Sequence, residues 1–135
     1  MDVHEGRLRE FSEWCRREGR GNVVAILGGE VDPHLPEGEL DLVYFISTYH
    51  HLGDPVGLLR NVGTSLRPGG RLAIVERDPA KSGRPGFEDS LRERRRYEAV
   101  SREGILDDTE EAGYDLVETH MFLPEDNIYI LSNRY

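Results

Sequence analysis

The sequence predicts an α/β fold, and three features predict it. Apolar runs of strand length recur at residues 23–27, 40–46, 72–75 and 128–131. Stretches with apolar residues at helical spacing alternate with them, and clusters of Gly, Pro and Asp mark the joins. Up to Asp78 the order is helix, strand, strand, helix, strand, which is the grammar of a sheet with helices packed on it.

A chain of 135 residues reads as a single domain, 1–135, able to bury a real core. Its mean hydropathy of −0.58 and 32 % charged residues indicate a globular protein with a well-charged surface. The formal net charge of −9 opposes binding to nucleic acid or anionic membranes, which relies on Lys and Arg. A lone cysteine excludes an internal disulfide and a cysteine-based zinc cluster, and no metal site is expected. No apolar run approaches the roughly 20 residues of a membrane span. The first residues lack the basic and apolar regions of a signal peptide, so the expected location is cytoplasmic.

Residues from about 5 to 18 read as a helix. Leu8, Phe11 and Cys15 share a face, Arg16 and Arg17 suit the last turn, and Gly19 and Gly21 end it. Cys15 there is a small core residue rather than a nucleophile. Residues 23–27 (VVAIL) read as a buried strand ending in the polar turn GGEVDP. Its two glycines do not form the spaced Gly-x-Gly-x-x-Gly of a dinucleotide loop. Glu30 and Asp32 can accept hydrogen bonds from a ligand or simply face solvent.

Every residue of 40–46 except Asp41 is apolar, which suits a strand buried on both faces. It stops at Ser47-Thr48-Tyr49-His50-His51. Ligands sit at the carboxyl ends of strands in open α/β sheets, so these five residues are the candidate site. Asp54-Pro55 then provides an N-cap and first residue for a helix carrying Leu58, Leu59, Val62 and Leu66. Arg67-Pro68-Gly69-Gly70 reads as a tight turn, residues 72–75 as the next strand, with Glu76-Arg77-Asp78 at its carboxyl end.

Residues 79–86 read as loop. Residues 91–100 interleave four arginines with Glu93 and Glu98, a solvated helix face rather than a nucleic-acid patch. A lid over the site with Tyr97 turned inward is a second role open to this segment. Ser101 caps a further helix with Ile105, Leu106 and Ala112, ended by Gly113. Residues 115–122 and 128–131 form strands about the turn 124–127, an antiparallel hairpin.

Four segments, LPEGELDLV (35–43), YHHLGDP (49–55), LRPGGRLAIVE (66–76) and EEAGYDLVE (110–118), together resemble the class I S-adenosylmethionine-dependent methyltransferases of small-molecule type. The resemblance spans about residues 22–135. It implies a Rossmann-like sheet, mostly parallel with an antiparallel carboxyl-terminal hairpin, binding S-adenosylmethionine and a small-molecule acceptor. Gly29 stands where the family often has an acid for the adenine, so Glu30 or Asp32 would substitute. Ser47, Thr48 and Tyr49 would border the methionine part of the cofactor, and His50, His51 and Tyr97 would face the acceptor. His50 is either the general base or a packing residue; His51 is expected to pack or hold the loop.

The chain departs from the family in lacking its first strand, glycine-rich loop and second strand, so the fold is expected to be truncated at its amino terminus. Three repairs are open: direct pairing of 23–27 with 40–46, a homodimer or complementing chain that supplies the missing strands, or a sequence that is a fragment of a longer enzyme. Two functions compete, a methyltransferase and a non-catalytic interaction or dimerisation module on the same fold. A Rossmann-like oxidoreductase is disfavoured, because no phosphate-binding glycine loop is present.

Overall fold

The structure is a computed structural model that describes residues 1–81 and 100–135; Tyr97 and the arginine-rich stretch 92–96 lie outside the described residues. Helix α1 (Glu5–Arg17) stops where Gly19 turns left-handed at φ 65°. The Gly19 and Arg20 amides donate back to the carbonyls of Arg16 and Cys15, a usual glycine-ended helix terminus. Cys15 is its buried residue, whereas Phe11 and Trp14 stack on each other and stay 43 % exposed.

The strand expected at 23–27 does not form. Only a single bridge, Asp2 to Leu27, is made there, and Val24 is 76 % exposed. An apolar run becomes a strand only where a neighbouring ladder satisfies its backbone, and residue 2 supplies one rung. Direct pairing of 23–27 with 40–46 is therefore not the arrangement found. The connection instead runs along a helix, with Asn61 Nδ2 donating to the Val31 carbonyl at 2.9 Å and the Gly38 amide to Thr64.

Strand β1 (Leu40–Ile46) leads through α2 (Pro55–Ser65) to β2 (Leu66–Arg77), and β1 and β2 pair in parallel. Helix α3 (Arg102–Glu111) precedes the hairpin of β3 (Tyr114–His120) and β4 (Asp126–Asn133). β4 inserts antiparallel between β2 and β3, giving the order β1-β2-β4-β3. This is the expected Rossmann-like mixture, parallel at the crossover and antiparallel in the carboxyl-terminal hairpin.

The caps are the ones the sequence offers. Asp54 accepts from the Gly57 amide at 2.8 Å at the start of α2, and Ser101 from Gly104 at 3.0 Å at the start of α3. β2 begins six residues before the expected 72. Its early residues form an irregularity against Leu40–Leu42, with Gly69 at φ 83°. Gly70 lies so close that a Cβ would stand 2.8 Å from the Leu40 carbonyl oxygen.

The core occupies one face of the sheet. Leu72 and Ile74 of β2 and Tyr129 and Leu131 of β4 pack beneath Leu58, Leu59 and Val62 of α2 and Ile105 of α3. Tyr114 donates to the Leu59 carbonyl at 2.8 Å and Asn133 to the Gly63 carbonyl at 2.7 Å, pinning α2 across the hairpin. β1 is not buried on both faces as expected. Val43 and Phe45 pack on the core, but Leu42, Tyr44 and Ile46 are 52, 62 and 57 % exposed. β1 is an edge strand whose outer side has no neighbour among the described residues.

Candidate functional site

The carboxyl end of β1 is where the backbone leaves ordinary strand geometry. The Ser47 amide still donates to Val75 at 2.9 Å, completing the ladder, while Ser47 itself is left-handed at φ 49°. A non-glycine residue held there carries strain that surrounding structure must impose. The chain then makes a 3-10 turn over Tyr49–His51, and the Thr48 hydroxyl donates to the Ile46 carbonyl at 2.9 Å.

This turn sends consecutive side chains in different directions. Tyr49 enters the core, 2 % exposed, and its hydroxyl donates to Asp108 Oδ2 on α3 at 2.9 Å. Burial first, then the Asp108 carboxylate, hold its pKa far above the usual tyrosine value. A cofactor can therefore meet the backbone of Tyr49 rather than its ring. His50 turns to the end of β2, where its Nδ1 lies 2.8 Å from Glu76 Oε1, with side chains 14 % and 2 % exposed. The Glu76 carboxylate also accepts from the backbone amides of Arg77 and His50 at 3.3 and 3.4 Å. A carboxylate only accepts, so Nδ1 carries the hydrogen and, in the neutral ring, Nε2 carries the lone pair. The His51 ring lies exposed against His50, centroids 4.0 Å apart.

Glu76 faces Asn127 across the β2–β4 ladder. Asn127 in turn donates to Asp78 Oδ2 at 2.7 Å and to the Tyr129 hydroxyl at 3.2 Å. Asp78 also accepts from the Ala80 amide at 2.9 Å. Burial is the main influence raising the Tyr129 pKa. A polar row of His50, Glu76, Asn127 and Asp78 thus follows the carboxyl edge of β2. The sequence placed Glu76 and Asp78 at a strand end without giving them a role, and read Asn127 as a turn residue; the missing signal was cross-strand register.

Gly29, Glu30 and Asp32 occupy a separate turn. The Gly29 amide donates to the Asp32 carbonyl at 2.6 Å, and Asp32 Oδ1 accepts from the His34 amide at 2.9 Å. Glu30 and Asp32 are both exposed. Their carboxylates, with exposed Ser47 and Thr48, offer acceptors suited to the ribose and amine of S-adenosylmethionine. The wall beyond Leu42, Tyr44 and Ile46 is not formed by the described residues, and the 135 residues hold no glycine-rich loop. The acceptors present suit parts of that cofactor in chemical kind and not the whole of it.

No curated protein sequence matches the chain. Solved structures do. An S-adenosylmethionine-dependent methyltransferase from Aquifex aeolicus superposes with a TM-score of 0.75 at 20 % identity, over 96 % of this chain and 64 % of that one. The mitomycin 7-O-methyltransferase gives 0.73 at 18 % identity, over 98 % and 40 %. A geranyl diphosphate methyltransferase in complex with S-adenosylmethionine gives 0.72 at 12 % identity, over 99 % and 67 %. The chain thus spans between two-fifths and two-thirds of these proteins, and at such identities the likeness is one of fold. The sequence profile of the family described as "Methyltransferase domain" matches residues 1–74, more than half of the chain. On that match, and on a fold that carries its polar groups at the carboxyl edge of a Rossmann-like sheet, the chain belongs to the class I S-adenosylmethionine-dependent methyltransferases.

Proposed function

We propose that this chain carries the acceptor side of a methyltransferase that methylates a hydroxyl or amine of a small molecule. The observation behind this reading is the His50–Glu76 pair, a 2.8 Å hydrogen bond at the carboxyl end of the sheet with little solvent access. S-adenosylmethionine, when bound, supplies the methyl group. Glu76 holds Nδ1–H, and Nε2 takes the proton from the acceptor as its oxygen or nitrogen becomes nucleophilic. His51 and the turn residues Ser47 and Thr48 position the acceptor and the exposed flank of the cofactor, and burial of Glu76 keeps water from competing for the imidazole. Positioning contributes most in such a displacement, so no larger set of acid and base groups is required.

A second reading is favoured by one observation, the outer edge of β1, unpaired among the described residues, with Leu42, Tyr44 and Ile46 exposed. It assigns the chain to an interaction or dimerisation module, or to a half completed by a second copy or another chain in the cytoplasm. Calorimetric titration of the purified chain with S-adenosylhomocysteine separates the two. Saturable binding supports the methyltransferase; its absence from a folded, monodisperse sample removes stand-alone catalysis and leaves the module.

A further inference from the structure

Beside His50 and Glu76 lies a second group of polar side chains that proton transfer leaves without a task. Among the described residues, three buried side-chain atoms have no hydrogen-bond partner: Arg102 Nε, Thr119 Oγ1 and Asn127 Oδ1. Folded interiors leave few such atoms, yet these three gather about one residue, Tyr129. Asn127 donates to the Tyr129 hydroxyl, Thr119 is its cross-strand partner, and the charges of Asp78, Arg102 and Glu103 all act on that hydroxyl.

The orientation of Asn127 is fixed. Its amide nitrogen serves Asp78 and Tyr129, and a flip would set Oδ1 against the Asp78 carboxylate at 2.7 Å. Oδ1 is therefore a standing acceptor on a side chain with no solvent exposure. Arg102 Nε–H and the Thr119 hydroxyl are standing donors, and the Tyr129 hydroxyl, which accepts from Asn127, has its own hydrogen to give.

This pattern discriminates among ligand groups. A carboxylate would satisfy the donors but meet the lone pairs of Asn127 Oδ1 and the charge of Asp78. An ammonium would satisfy Oδ1 and suit the Asp78 and Glu103 charges, but it has no acceptor and so leaves the Arg102, Thr119 and Tyr129 donors unanswered. A neutral carboxamide presents a carbonyl to the donors and an N–H to Oδ1, and so satisfies both sides. We propose that Arg102, Asn127 and Tyr129 form a subsite for a carboxamide on the methyl acceptor. The proposal rests on the reading of His50 as the base. Asn127 is the cross-strand partner of Glu76 and neighbouring strands lie about 5 Å apart, so the subsite is one strand spacing from the carboxylate that holds His50, and a ring-sized acceptor is the probe to use. Arg102, in the first turn of α3, is only part-buried.

The test is an NMR titration of the whole chain with 4-hydroxybenzamide, 4-hydroxybenzoate and phenol. The amide is expected to bind at least about tenfold tighter than either of the others, because a site built to hydrogen-bond a group rejects analogues lacking it. It should also move the Asn127 side-chain amide and the Tyr129 resonances. Arg102→Met, at the part-buried start of a helix, should bring the amide down to the affinity of phenol, with an unchanged melting temperature as control; Tyr129→Phe should weaken it in the same direction. Equal binding of all three probes, shifts confined to other residues, or an Arg102→Met chain that still prefers the amide would each overturn the subsite. If the preference fails while His50→Ala still abolishes methylation of a phenol, the subsite falls and the methyltransferase reading stands. Amide binding in a chain that never takes up S-adenosylhomocysteine keeps the subsite and removes its part in methyl transfer.

Discussion

At the scale of single residues, the pairing of His50 with Glu76 makes separable predictions. His50→Ala removes the proton acceptor and should lower kcat by about 10²–10⁴-fold, with little change in S-adenosylhomocysteine affinity by calorimetry. Glu76→Gln leaves the shape and takes away the carboxylate that fixes the tautomer. It should lower kcat more than it raises KM, and long-range ¹H–¹⁵N spectra should show the His50 tautomers redistributed. An unchanged tautomer would sink the positioning role of Glu76. A further prediction concerns pH. Burial raises the pKa of Tyr49, Tyr114 and Tyr129 above the usual tyrosine value. The unfolded chain then loses these protons first, so stability is fully present below about pH 10 and declines as pH rises beyond it. Urea midpoints measured from pH 8 upward should fall only past that point, and less steeply in Tyr114→Phe once its lower starting stability is subtracted.

At the scale of elements, local chemistry and long-range register divide what a sequence reveals. Asp54 capping α2 was legible because the cap, the proline after it and the apolar stripe are contiguous. Asp54→Ala should cost about 1 kcal/mol in urea unfolding at neutral pH, with the fold retained. The end of β1 before the turn Ser47 to His51 was legible for the same reason, since a strand's end can be read from where its apolar run stops. Glu76 and Asn127 were not, because their adjacency depends on β4 inserting beside β2 with a register that no short window contains. Residues 23–27 misled in the opposite sense: their composition is that of a strand, but composition cannot supply the neighbour that a strand requires. The beginning of β2 was misread as a turn because Pro68-Gly69-Gly70 has turn chemistry, which here makes an irregularity within the ladder. Gly70→Ala tests that placement. Its Cβ would press on the Leu40 backbone oxygen, and overpacking of this kind costs about 1–3 kcal/mol, whereas Ala at Gly53, where nothing lies within 4 Å, should be almost neutral.

For the whole molecule, the unequal burial of the sheet matters most. One face carries two helices and a closed core. The outer edge of β1 has no pairing strand among the described residues and lies beside three large exposed side chains, a combination that natural proteins cover or protect with charge. The strand itself has little such protection: Asp41 is its one charge, and Arg67 is paired with it. A partner strand laid along β1 would satisfy that backbone and shield Leu42, Tyr44 and Ile46 together. The isolated chain should therefore self-associate, with sedimentation equilibrium giving a mass above 15.4 kDa that rises with concentration. Tyr44→Lys, which puts a charge at the centre of the exposed row without touching the core, should return the chain to a monomer and lower its melting temperature to a value that no longer depends on concentration. A wild-type chain that stays monomeric at high concentration, with the same melting temperature as Tyr44→Lys, would mean that the edge tolerates solvent and needs no second copy.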